Sequence, residues 1–299
     1  MQHSKRWHGR CQLTFLRTAR GTHHQGACCA PLKLLRAQHG TDGRCEVPIL
    51  HTAGGLVGGD ALSVDMALQP GSRALITSVA AQKVYGSAGR SIINPKGQWT
   101  EQTVDCTLAD NSDLEWFPQE VIIYANALHH QSLNVNLGRN TSFFSAEIAR
   151  LGRSASNETI ENGCLKSELC IKRCVNKAEK WELIDRLLTN HQSFEHMHGL
   201  AHSPVLGTLV WISPSALPTE QMTGLLNNAR DQRQGLEGTM RCGPLEQGFI
   251  ARYVGDSTRD ARFWFSRIWR LTRELRSLSH PDIPRSWPMQ EQPLSMLKS

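Results

Sequence analysis

The sequence predicts a mainly β fold, a body of stacked β-rungs of the β-helical or solenoid-like kind, carrying a C-terminal helical element. Three observations point there. Apolar residues alternate with polar ones in several short segments; a strand, polar turn, strand unit recurs along the chain; and apolar residues near the C-terminus switch to steps of three and four.

The first clear unit begins at Ala61, where Leu62, Val64, Met66 and Leu68 alternate with Ser63, Asp65 and Gln69. A period of two places them on one face of a strand. Pro70-Gly71 then supplies a turn, and Ala74, Leu75 and Ile76 open a second strand. The unit returns as Val104, Cys106 and Leu108, a turn at 110–113, and LEWF. It returns again as Leu133, Val135 and Leu137, a turn at 138–140, and FFSAEI. A weaker copy is ELCIKRC followed by WELIDRL. The spacing is uneven, about 30 to 40 residues, so the repeat is loose.

Past about residue 203 the pattern changes, and PTEQMTGLLNNARDQ and STRDARFWFSRIWRLTRELRSL read as helices. In the second, Trp264, Ile268, Leu271, Leu275 and Leu278 form an apolar stripe. Ser257 and Asp260 resemble a capping box at its start, and Pro281 and Pro284 stop it. No low-complexity linker divides the chain. The expectation is one domain over 1–299, with a β-body over about 7–215 and a helical element over about 216–280.

With 39% hydrophobic and 20% charged residues in 299, the chain has enough apolar material for a core, which excludes intrinsic disorder. The net charge of +6 allows an acidic partner, but only the C-terminal arginines approach the concentrated basic surface of a nucleic-acid binder, so none is expected. No apolar run has membrane-spanning length. The opening stretch carries Lys5, Arg6 and Arg10 without a following apolar core, and the nine cysteines have no framework spacing, which together predict reduced thiols in the cytoplasm.

HTAGGLVGGDALSVDMAL, continuing through PGSRALITSVAAQKVYGS, resembles the signature of the UreD (UreD/UreH) family of urease accessory proteins. LEWFPQEVIIYANA, FFSAEIARLGR, SPVLGTLVWI and the closing PRSW follow in the family's order, so the resemblance runs from about residue 7 to 287. The chain departs at Thr52-Ala53, where the family has a Pro-Pro pair, and at Ala30-Pro31-Leu32, where the family has Gly-Pro-Leu.

The resemblance implies a non-catalytic chaperone for nickel insertion during urease maturation. Its expected partners are UreF, the GTPase UreG and apo-urease, in an assembly of the dimer-of-heterotrimers kind. Nickel released on GTP hydrolysis by UreG would pass through a water-filled tunnel in this subunit. No tightly bound cofactor is expected beyond transient Ni2+.

Gly54, Gly55, Gly58 and Gly59 could cradle a phosphate, but no Lys-Ser/Thr follows and the next element alternates as a strand. They read as turns between rungs. HQSFEHMHGLAH holds His191, Glu195, His196, His198 and His202, side chains suited to nickel. His196 and His198 are the metal candidates against a solvated loop, and a nickel-storing or nickel-sensing protein is the alternative function. Cys164, Cys170 and Cys174 share a strand face and read as small buried hydrophobes.

Asp60, Lys83, Glu120, Glu147 and Arg153 lie in or beside the family-like blocks, four of them against apolar segments. Inside a β-body they must be paired or hydrated. Mutual pairing is one reading; the other is a polar passage whose carboxylates ease a dication through without holding it. No nucleophile motif, HExxH or supported carboxylate pair occurs, in keeping with a non-enzyme. On the C-terminal helix, Arg259, Arg262, Arg270 and Arg273 read as a solvated face or a docking surface. Phe263, Trp264 and Trp269 are possible anchors for a partner, with Arg270 and Arg273 beside them.

Overall fold

A computed structural model describes residues 7–176, 178–288 and 291–294. Lys5 and Arg6 lie outside them. Strands β1 (His8–Thr18) and β2 (Gly21–Cys29) form an antiparallel hairpin. Short strands β3 (Leu32–Leu34) and β4 (Gln38–His39) pair with β5 (Cys45–His51).

The repeated units follow. They are β6 (Ala61–Leu68) with β7 (Arg73–Ser78) and β8 (Gln82–Val84), then β9 (Thr100–Leu108) with β10 (Asp113–Trp116) and β11 (Val121–Ile123), then β12 (Leu128–Leu137) with β13 (Ser142–Leu151). In each unit the first strand joins one sheet and the next joins the other. Strands β1, β6, β9 and β12 therefore lie side by side in parallel, as do β5, β7, β10 and β13 opposite.

The crossing turns repeat in chemistry. Gly71, Asn111 and Asn140 each take positive φ, and each is followed by a hydroxyl residue, Ser72, Ser112 or Thr141, that donates to the carbonyl three residues back. Glycine and asparagine tolerate that backbone region, so the turn recurs where they recur. Gly71 N–H donates to Asp110 O and Asn111 N–H to Arg139 O, tying each turn to the next.

The fourth, weaker copy behaves differently. β14 (Cys164–Val175) extends the first sheet in parallel, but β15 (Ala178–Asn190) turns back antiparallel along it, with Val175 opposite Ala178. Two residues can make a hairpin return but cannot carry the chain to a facing sheet about 10 Å away. Cys164, Cys170 and Cys174 sit on the outer face of β14, partly exposed, because Leu165, Leu169 and Ile171 take the inner phase. They are not core residues.

After α1 (His191–Glu195), β16 (Val205–Ile212) pairs antiparallel with β13. The segment expected to be helical contains α2 (Thr219–Asp231) and α3 (Thr258–Leu275), but between them β17 (Thr239–Leu245) and β18 (Gly248–Gly255) form a hairpin that widens the second sheet beyond β16. Ser257 caps α3 by accepting from Asp260 N–H at 3.1 Å.

Three layers result. Leu13, Val64, Val104 and Leu133 of the first sheet pack on Phe143, Val210 and Ile212 of the second. The other face of the second sheet, with Phe144, Trp211, Phe249 and Tyr253, packs on Trp264, Phe265 and Trp269 of α3. Among the described residues no helix is long and apolar enough to cross a membrane.

Of the arginines expected on an outer face of α3, Arg259 is exposed and pairs with Asp260 and Glu291, but the others turn inward. Arg262, Arg267 and Arg273 are buried, as are Trp264 and Trp269. Arg273 meets Glu115, Arg262 reaches Pro118 O and Glu120, and Arg267 donates to Gln232 O and Gln234 O. Arg270 donates to Leu294 O in the C-terminal tail. Stripe analysis treats arginine as outward; here buried carboxylates and free carbonyls supply partners inside.

Candidate functional site

A polar seam crosses the apolar space between the sheets. In the first sheet Gln102, Gln131 and Ser167 stand side by side on β9, β12 and β14, in phase with the buried Val104, Leu133 and Leu169. In the second, Glu147, Thr208 and Arg252 stand side by side on β13, β16 and β18. The alternation that buries valine and leucine on either side delivers these polar residues to the same interior.

Two cavities lie along the seam. The larger, about 80 Å³, is lined by His51, Gln82, Gln102, Gln119, Gln131 and Glu147, with apolar neighbours. A smaller one, about 20 Å³, is lined by Gln131, Glu147, Ser167, Asp185 and Thr208. Gln131, Glu147 and Ile148 border both, so the cavities adjoin. His51 Nε2 and Gln119 Nε2 are buried without a protein partner, although both residues line the larger cavity. Orphaned polar atoms beside polar space are what water satisfies.

Glu147 is the carboxylate at the junction. Trp116 Nε1–H donates to its Oε1 at 3.2 Å. Burial pushes its carboxyl above the usual carboxylate range, and the indole bond offsets this only in part. Burial likewise holds the His51 imidazole below its ordinary value, which keeps it neutral and free to donate a lone pair. The seam thus offers scattered amide oxygens, one imidazole and two carboxylates, Glu147 and the Arg252-paired Asp185. Among the described residues no three His, Cys, Asp or Glu side chains converge on one point. Donors dispersed in this way do not build a closed coordination shell.

At its outer end the seam meets a cross-sheet clasp. Arg252 of the second sheet donates to Asp185 of the first at 2.5 Å and also to Thr208 Oγ1.

Of the five passage candidates, Glu147 lines these cavities. Asp60 accepts Val57 N–H at 2.9 Å in the glycine-rich turn, and Lys83 is exposed on β8. Glu120 pairs with Arg262 at 3.4 Å across a separate surface cleft. Arg153 pairs with Glu158 and stacks on Tyr124, 4.6 Å from the ring centre. The five do not pair with one another. The glycine-rich stretch is a turn, with Gly54 and Gly59 at positive φ and β6 following; a Cβ at Gly55 would lie 2.5 Å from the Tyr85 ring. His196 and His198 are exposed, their rings 5.4 Å apart, and His196 Nδ1 accepts the His198 N–H.

Sequence reasoning passed over Gln102, Gln131, Ser167, Asp185, Thr208 and Arg252. The signal for the first three was present: each is a polar residue in the inward phase of an otherwise apolar strand. Pairing across sheets, which makes Asp185 and Arg252 neighbours, leaves no mark on local pattern.

Fold and seam together define a two-sheet β-body with two adjoining polar cavities between its sheets and a buried helix packed on the outer face of the second sheet. The family model described as UreD urease accessory protein matches residues 8–288. Urease accessory protein UreD of Parasynechococcus marenigrum (strain WH8102) is 59% identical over 295 residues, covering 99% of this chain and 95% of the relative. The UreD proteins of Synechococcus sp. (strain CC9902) and Prochlorococcus marinus (strain MIT 9303) are 58% and 49% identical, covering 98% and 96% of this chain and 94% and 98% of those relatives. The chain belongs to the UreD family of urease accessory proteins.

Proposed function

We propose that this chain acts in urease maturation as a non-catalytic scaffold and nickel conduit. Its parallel strands stack as rungs of a short solenoid-like body, and Ni2+ travels as cargo along the seam between them. A UreF and UreG complex supplies the ion at the expense of GTP, and apo-urease receives it in the cytoplasm, within an assembly of paired heterotrimers. The observation that carries this reading is the alignment of Gln102, Gln131 and Ser167 opposite Glu147 inside an otherwise apolar core.

The chemistry fits transit. Dispersed oxygen donors replace part of an ion's hydration one at a time, and a carboxylate with a raised pKa releases its proton when a dication arrives. A tight site would trap the ion instead.

The test is coexpression with the UreF and UreG homologues and apo-urease, followed by copurification and urease nickel analysis. Glu147→Leu with Gln131→Leu is expected to leave the complex intact and cut nickel content at least fivefold. Full metallation by the double variant would sink the conduit, and failure of the wild-type chain to copurify would sink the scaffold.

A further inference from the structure

We propose that Arg252 and Asp185 form a gate at the outer end of the seam, shut in the free chain; this rests on reading the seam as an ion route. Arg252 stands on β18 and Asp185 on β15, so their 2.5 Å ion pair ties the rim of one sheet to the rim of the other. Arg252 also grips Thr208, the residue beside Glu147 in the second sheet. Both Asp185 and Thr208 line the smaller cavity and Arg252 bridges them, so the clasp spans that end of it.

Size and charge agree with a shut state. The cavity behind the clasp is about 20 Å³, room for about one water by the one-probe criterion. A hydrated dication does not fit there. While Arg252 holds Asp185, that carboxylate is neutralised and offers no free charge to an approaching dication.

The adjoining clasp shows why this one is the movable member. Arg173 on β14 ties the sheets through Glu182, Gly138 O, Thr141 Oγ1 and Ser213 O, and its side chain is 9% exposed. Arg252 bonds to two side chains and is 32% exposed. It can swing into water at little cost, whereas Arg173 would abandon buried carbonyls. A partner that offers its own carboxylate to Arg252 would draw it outward and leave Asp185 facing the opened route, a carboxylate suited to meet the ion.

The gate is tested by access from solvent. Ser167→Cys places a thiol on the inner side of the clasp, and its modification by a positively charged methanethiosulfonate reagent is followed by peptide mass spectrometry, which separates it from the nine native cysteines. Substituting Arg252→Gln in that background is expected to speed labelling at least tenfold, and Asp185→Asn, which keeps the Arg252 to Thr208 bond, to speed it less. Equal rates in all three folded proteins would overturn the gate; should Arg252→Gln fail to fold, the Asp185→Asn contrast alone decides. The conduit reading fails separately, if the seam variants leave urease fully metallated while the labelling contrast persists.

Discussion

Arg273 of α3 and Glu115 of β10 meet in a buried ion pair, Nε to Oε1 at 2.9 Å, that fastens the helix to the second sheet. Around it Arg44 and Arg276 pair with Asp113, and Arg44 also with Asp42. Breaking one partner of such a cluster strands the opposite charge in a low-dielectric interior. Glu115→Ala is expected to destabilise the chain by about 3–5 kcal/mol, read by urea unfolding. A loss below about 1 kcal/mol would mean the arginines find water.

The same cluster sets an acid limit. Burial alone would raise the Asp113 and Glu115 carboxyls, but Arg276 and Arg44 hold Asp113, and Arg273 and Arg44 hold Glu115, below the usual range. With folded values depressed, their stabilisation is complete above the unfolded carboxylate pKa of about 4 and drains away as pH falls below it. The melting temperature should drop steeply as pH falls below about 4, and less steeply in Asp113→Asn. Parallel slopes would contradict the assignment.

Glu147 runs the opposite way. Its folded value is raised, so its charge destabilises the fold as pH climbs from about 4 through that raised value. Glu147→Gln should therefore be more stable than the parent at neutral pH, with the gain vanishing below about pH 4. A variant less stable at pH 7 would show that the carboxylate is needed by its neighbours.

Gly207 of β16 faces the α3 side, where a Cβ would come within 2.8 Å of the Phe265 ring. Gly207→Ala should cost about 1–3 kcal/mol through overpacking, measurable as a lowered denaturation midpoint. No change would mean that the helix rides more loosely on the sheet than its aromatic packing implies.

The sequence carried much of this architecture. Period-two alternation located β6, β9 and β12, and the turns at Gly71, Asn111 and Asn140 separated them from their partners, because both signals are local. What pattern alone left open was where each chain segment goes next. ELCIKRC and WELIDRL read as a weaker copy of the same unit, yet they pair antiparallel within one sheet. The hairpin β17–β18 interrupts a segment whose flanks are helical, and β17 contains Gly243 and Pro244, weak strand signals rescued by pairing with β18, which in turn pairs with β16. The buried arginines of α3 escaped for a related reason. Periodicity ranks residues by polarity, and only tertiary neighbours such as Glu115 reveal that a guanidinium has an interior partner. Glu147 was legible as a charged residue in an apolar strand; Asp185 and Arg252 were not, since their proximity is made by two sheets.

Strand β13 serves two compartments at once. Phe144, Ala146 and Ile148 project toward the helix, while Phe143, Ser145 and Glu147 project toward the facing sheet. A slip of a single residue against β10 and β16 would exchange those roles, thrusting a carboxylate among tryptophans and an isoleucine into the polar cavities. Insertions within this strand should thus be far more damaging than insertions in the turns at either end.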